Sequence, residues 1–167
     1  MTHSNTNSPV SNQPITTRII NVSEKVAAIS AHLELVSEFR YDQKEKSMLL
    51  MVSGNLNHYA SALRVVSANI YSYKKLISDI AMPEQLKDVF HNEFENIMDE
   101  ADIEEMLWST YLHIDSCTEM VRMLAAKEGA WGTKSLHEMA HWLGRCANQL
   151  EAIHEEAGSL AHQELAA

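Results

Sequence analysis

The stretch that decides the fold is EKSMLLMVSGNLNHYASALRVVSANIYSYKKLISDI, residues 45–80. Its apolar side chains recur in steps that alternate between four and three residues: Leu49, Val52, Leu56, Tyr59, Leu63, Val66, Ile70, Tyr73, Ile77 and Ile80. Glu45 begins this seam and is its only charged member. A spacing of about 3.5 residues keeps one helix face against partner helices over many turns. The sequence therefore predicts a long helix, residues 43–80, packed in a helical bundle.

The same spacing recurs elsewhere in the chain and predicts helices over residues 21–39, 103–127 and 134–163. A shorter helix rich in acidic residues is predicted over residues 84–98. Pro83 is the only proline after residue 14, so few sites interrupt a helix. We therefore expect an all-α antiparallel bundle of long helices, in which a short acidic helix joins two α-hairpins.

The predicted helix starts depend on side chains that can accept hydrogen bonds from backbone N–H groups. The predicted capping pairs are Asn21 with Glu24, Asp42 with Glu45, and Asp102 with Glu105. Residues 40–46 interrupt the apolar pattern, and we favour a turn there. A solvated helical continuation is the alternative, because the segment contains neither glycine nor proline. Gly54 inside the long helix predicts a close helix crossing or a local bend.

A faint similarity relates the two halves of the chain. Residues 32–39 align with residues 113–120, and Leu56, Ala60 and Leu63 align with Leu136, Ala140 and Leu143. A duplicated α-hairpin would explain this similarity, and chance similarity between amphipathic helices explains it equally well.

The domain prediction is a flexible tail over residues 1–15, which is rich in Ser, Asn and Thr, and one helical domain over residues 16–167. The first residues lack the basic and apolar segments of a signal peptide, and no run approaches the roughly 18 apolar residues of a membrane span. We therefore expect a cytoplasmic protein. Cys117 and Cys146 fall on predicted core positions and are expected to be reduced thiols.

The net charge of −10 is unevenly distributed along the chain. Residues 84–105 contain nine acidic residues and one basic residue, whereas residues 1–80 contain eight basic and six acidic residues. This balance argues against non-specific nucleic-acid binding, which requires a basic surface. The acidic segment predicts either a solvated helix face or a surface that attracts a basic partner.

One motif suggests metal chemistry: His137-Glu138-Met139-Ala140-His141 has the HExxH pattern of zinc peptidases. Two histidines four residues apart share one helix face and can both bind zinc, while the glutamate polarises a metal-bound water. The further histidine of the longer motif is absent, because residue 147 is alanine. The seam also places Glu138 and His141 on the outside of the helix, which disfavours a catalytic pocket.

Our leading hypothesis is a non-catalytic interaction protein, a small regulator, inhibitor or adaptor that binds a protein partner and forms a homodimer. A basic partner fits the acidic segment. The predicted interaction residues are Glu93, Glu95, Asp99, Glu100, Glu104, Glu105, Trp108 and Trp142. The alternative is a metal-binding protein or zinc hydrolase that uses His137, Glu138 and His141. A weaker alternative is an acidic mimic of nucleic acid that occupies a basic site on a DNA-binding protein.

Overall fold

The structure, a computed structural model, describes residues 13–77, 100–127 and 132–164. Four helices cover most of these residues: α1 (Ile15–Glu38), α2 (Gln43–Ile77), α3 (Glu100–Ala125) and α4 (Thr133–Glu164). These ranges contain no β-strand. The prediction of an all-α bundle of long helices is confirmed. The predicted acidic helix over residues 84–98 and the first twelve residues of the predicted tail lie outside the described residues.

The helices run up, down, up and down, and each packs beside two others. The α1–α2 and α3–α4 hairpins are the most extensively packed pairs, while α2 with α3 and α1 with α4 close the bundle. Arg18 near the start of α1 forms an ion pair with Glu156 near the end of α4. At the opposite end, Gly132 lies against Val36. These two contacts show that α1 and α4 are antiparallel.

The predicted seam is the core of the bundle. Its α2 members Leu49, Val52, Leu56, Leu63 and Val66 have no exposed surface. They belong to one apolar cluster with residues from the other three helices, among them Leu33, Leu107, Ile114, Leu143 and Leu150. Burial of each such side chain stabilises the fold by about 1.5–3 kcal/mol. As far as Val66, therefore, the long seam of α2 is covered by helices of the same chain.

Buried serines fix the register between α1 and α2. The Ser23 hydroxyl donates to the carbonyl oxygen of Ala60 over 2.8 Å, and the Ser30 hydroxyl donates to that of Ser53 over 2.8 Å. Further along, the Ser67 hydroxyl donates to the carbonyl oxygen of Thr16 over 3.1 Å. Sliding one helix past the other would leave these buried groups without partners, which costs about 1–3 kcal/mol each.

The predicted starts of two helices are wrong. α1 begins at Ile15 rather than at Asn21, and the N–H of Arg18 donates to the carbonyl oxygen of Pro14. The seam extends backward through Ile19 and Ile15, which are 0% and 6% exposed, so burial favours the additional turns. α3 covers Glu100–Ala125, so Asp102 lies within a helix instead of capping one.

The turn within residues 40–46 is confirmed, because α1 ends at Glu38 and α2 begins at Gln43. Asp42 caps α2: its Oδ1 accepts the backbone N–H groups of Lys44 at 2.8 Å and Glu45 at 3.3 Å. These two bonds lower the pKa of Asp42. Glu45 is buried and binds other side chains. The predicted close crossing at Gly54 is wrong, since no atom lies within 4 Å of a Cβ built there.

Candidate functional site

A recess on the α3–α4 surface contains several of the predicted interaction residues. It has a volume of about 350 Å³ and is lined by Glu104, Glu105, Trp108 and His154. We call it the acidic recess. The Trp108 side chain is 42% exposed, so its indole is available to a ligand. Its ring centroid lies 5.0 Å from that of Tyr111 and 5.1 Å from that of His154.

The core residues of α3 and α4 place these side chains at the recess. Ile103 and Leu107 are buried, so Glu104 and Trp108, the next residue after each, lie at the edge of α3. On α4, Ile153 is fully buried, so His154, the next residue, lies at the edge of α4 beside Glu104 and Trp108. The recess therefore depends on the register between two helices and not on one segment alone.

The electrostatic environment of the acidic recess is negative. The Nε2 atom of His154 lies 3.6 Å from Oε1 of Glu104, and Glu105 adds a second carboxylate. Beside the recess, burial of the Tyr111 hydroxyl and the nearby carboxylates of Glu151 and Asp115 raise the pKa of Tyr111. Because its pKa is raised, Tyr111 stays neutral, and the carboxylates determine the negative charge at the recess.

This combination of groups suits a cation. The exposed face of an indole attracts a guanidinium or an ammonium group, and neighbouring carboxylates accept its hydrogen bonds. Arginine fits best, because its planar guanidinium can stack on Trp108 and donate to a carboxylate at the same time. The side chains of the recess thus have the chemistry of a binding site for a basic residue.

The remaining predicted interaction residues are not brought together at this recess. Glu100 begins α3, whereas Glu93, Glu95 and Asp99 lie outside the described residues. Trp142 is 49% exposed, as its position off the seam predicts. Its ring lies under the guanidinium of Arg145, 5.2 Å from the centroid, and about 18 Å along α4 from His154.

The HExxH residues lie on the outer side of α4. His137, Glu138 and His141 are all exposed, whereas Met139 between them is buried. Across the described ranges, no three His, Cys, Asp or Glu side chains are grouped closely enough to hold a metal ion. A zinc ion could be bound by the two histidines one turn apart, and water would complete its shell. The metal site at His137, Glu138 and His141 stays a prediction.

Sequence reasoning missed His154, which lines the recess, and Tyr111 and Glu151, which lie beside it. The only signal was that residues 151–154 have the pattern Glu-x-x-His, which suggests a metal ligand pair rather than an aromatic contact. Cys117 and Cys146 are where the pattern placed them: both are buried and free. Burial raises the pKa of Cys117 to about 11 and also raises that of Cys146.

Comparisons with protein-family models, with curated proteins and with solved structures find no match to this chain. Within the described residues, no helix combines the length and apolar character that a membrane crossing requires. A function for this chain therefore has to be inferred from its surfaces, and the acidic recess is the most chemically specific of those described.

Proposed function

We propose that this chain is a non-catalytic helical interaction protein, a small cytoplasmic regulator, inhibitor or adaptor that binds a basic segment of a partner protein. One observation carries the proposal: the exposed indole of Trp108 lines the acidic recess together with the carboxylates of Glu104 and Glu105. The rigid helices on both sides support it, because they hold these groups in place before a partner arrives.

The strength of each contact indicates what kind of partner fits. A cation above an exposed aromatic ring contributes about 0.5–1 kcal/mol, and an exposed ion pair contributes about 0–1 kcal/mol. One basic side chain would therefore bind weakly. We expect a segment with several arginines or lysines, whose attraction to the acidic residues around 84–105 raises the association rate and weakens with added salt.

The test uses a fluorescein-labelled nona-arginine peptide, with binding followed by fluorescence anisotropy. The variants Trp108→Ala and Glu104→Gln/Glu105→Gln remove the two parts of the recess. The controls are Trp142→Ala and Glu138→Gln, which change the same residue types at exposed positions of α4 outside the recess. We expect about two- to fivefold weaker binding in the recess variants, which corresponds to about 0.5–1 kcal/mol. Equal affinities in the recess variants and the controls would contradict the proposal.

We further propose that the protein acts as a homodimer. Among the described residues, exposed large apolar side chains are concentrated in one segment of the first hairpin: Leu35, Phe39, Tyr41, Leu50 and Met51. Their exposed fractions range from 45% to 98%. A contiguous exposed apolar patch is typical of protein contacts, and we propose that these side chains form one. A second copy of the chain would cover it without any other component.

A further inference from the structure

Arg40 lies at the end of the bundle where the turn between α1 and α2 meets the start of α4. Its side chain is only 3% exposed. Its backbone N–H donates to the carbonyl oxygen of Ser37 over 3.2 Å, which fixes the residue just beyond the end of α1. The Nη1 atom donates to Oε2 of Glu45 over 3.3 Å. One side of the guanidinium is therefore paired inside the protein.

The other side of the same guanidinium has no partner among the described residues. Its Nε and Nη2 atoms are buried and make no hydrogen bond. These two atoms form one edge of the planar group and donate two parallel N–H bonds, the geometry that matches two oxygens of a phosphate or a carboxylate. A buried donor without a partner is costly, and more so when it is charged. The edge therefore needs an acceptor that the described side chains do not supply.

The carboxylate that pairs with Arg40 does not reach the second edge of its guanidinium. Glu45 is shared, because its Oε1 lies 2.6 Å from Nζ of Lys127 while its Oε2 faces Arg40. The two cations thus share one buried carboxylate. A second carboxylate, that of Asp42, is exposed, accepts the two N–H groups that begin α2, and also attracts Lys127. Counted with Asp42, the charges of this cluster balance, so within the described part of the chain Arg40 lacks an acceptor for its second edge and not a counter-ion.

The start of α4 adds to this environment. A Cβ on Gly132 would lie 3.1 Å from Cγ1 of Val36, so the first turn of α4 packs against the last turns of α1. Thr133 donates from Oγ1 to the carbonyl oxygen of Lys127 over 3.3 Å. The first turn of α4 contains no acidic residue, so its own carboxylates do not compensate the positive end of the helix dipole.

We propose that the Nε–Nη2 edge of Arg40 binds a small oxyanion, inorganic phosphate or a small carboxylate, and that this ion ties the end of α1 to the first turn of α4. The Nε and Nη2 atoms of Arg40 are closed to solvent, so the residues around them must open to admit a ligand, and this limits the ligand to a small ion. The site is separate from the acidic recess, since Glu104 and Lys127 lie near opposite ends of α3, about 35 Å apart at 1.5 Å per residue. It does not depend on the proposed partner binding.

The first test measures thermal unfolding in phosphate, acetate and chloride at equal ionic strength. Phosphate also stabilises proteins in general, so variants have to separate the two effects. Arg40→Lys keeps the charge but removes the paired donors, and Arg64→Lys is the matched control at an exposed arginine of α2. We expect one oxyanion to raise the midpoint of the wild type and of Arg64→Lys by about 3 °C more than that of Arg40→Lys. An equal rise in all three proteins would overturn the proposal.

A second measurement needs no variant that might unfold. In ¹⁵N-labelled wild-type protein, the Nε–H signal of Arg40 can be assigned through its bonds to the backbone and followed as each ion is added. A saturable shift with phosphate but not acetate identifies a tetrahedral anion, and the reverse identifies a carboxylate. Either result supports the site. No saturable shift with either ion would overturn it.

Discussion

At the scale of single residues, Gly54 and Gly132 have opposite surroundings. Gly54 is exposed with open space where a Cβ would lie, so alanine should raise the free energy of unfolding by about 1 kcal/mol. Gly132 has φ +79°, and its Cβ would lie 3.1 Å from Val36. Alanine there should lower the free energy of unfolding by about 1–3 kcal/mol. Urea unfolding of Gly54→Ala and Gly132→Ala measures both values.

Each glycine variant is the control for the other, because both replace a hydrogen atom with a methyl group. A destabilised Gly54→Ala would mean that the position bends α2 or contacts a neighbour. A Gly132→Ala protein as stable as the wild type would mean that the turn adopts another conformation.

The thiol of Cys117 links stability to pH. Burial raises its pKa from the ordinary value of 9.0 to about 11, so the unfolded chain releases this proton first as the pH rises. The stabilising effect is therefore fully present below pH 9 and is lost as the pH rises toward 11. We expect the wild type to lose about 2 kcal/mol more unfolding free energy across this interval than Cys117→Ala does. Urea titrations of both proteins at each pH measure the difference.

Cys146 and the lysines titrate in both proteins, so their effects cancel in this comparison. Cys117 contributes to the raised pKa of Tyr59, so the titration of Tyr59 is part of the measured difference. Parallel pH profiles for the wild type and Cys117→Ala would show that the thiol is more accessible to water than its position at 2% exposure implies.

At the scale of helices, the seam could be predicted because it repeats along the chain. Leu49, Leu56 and Leu63 follow a spacing that only a packed helix explains, and all are fully buried. The start of α1 could not be read from a local capping pattern, because the burial of Ile15 and Ile19 outweighs it. The acidic recess could not be predicted from the sequence for another reason. Trp108 and His154 meet only through the register of α3 against α4.

Glu45 shows how a single seam position joins elements. It is the only charged residue of the seam, and it binds Arg40 beside the first turn and Lys127 at the end of α3. We expect Glu45→Gln to lower the free energy of unfolding by about 3 kcal/mol, because it leaves the buried guanidinium uncompensated. The double variant Arg40→Met/Glu45→Leu should recover most of that loss, since apolar groups of similar size need no partner.

A double-mutant cycle with Arg40→Met completes this measurement by urea unfolding. Lys127→Met is the matched control, because its side chain is 55% exposed and water can replace its contact with Glu45. A loss in Lys127→Met as large as that in Glu45→Gln would show that the exposed partner, and not Arg40, determines the stability of the cluster.

At the scale of the whole molecule, the two polar clusters divide the bundle. The acidic recess lies toward the start of α3, and Arg40, Glu45 and Lys127 lie toward the two hairpin turns. Because the helices between them are rigid and apolar inside, a change at one end should leave the other unaffected. Recess variants that keep their phosphate response, and Arg40 variants that keep their peptide affinity, would demonstrate this independence.

The proposed homodimer belongs to the same scale, and the exposed apolar side chains within residues 35–51 decide it. The seam of α2 is covered within the chain as far as Val66, so it gives no reason for a second subunit there. The exposed side chains of Leu50 and Met51 are the reason to expect a second subunit. We expect sedimentation velocity to show a dimer for the wild type and a monomer for Leu50→Lys/Met51→Lys, because charge on both residues opposes burial. Met123→Lys, at a 69% exposed methionine of α3, should remain a dimer. A wild type that sediments as a monomer at every concentration tested would refute self-association and leave this surface to a different protein.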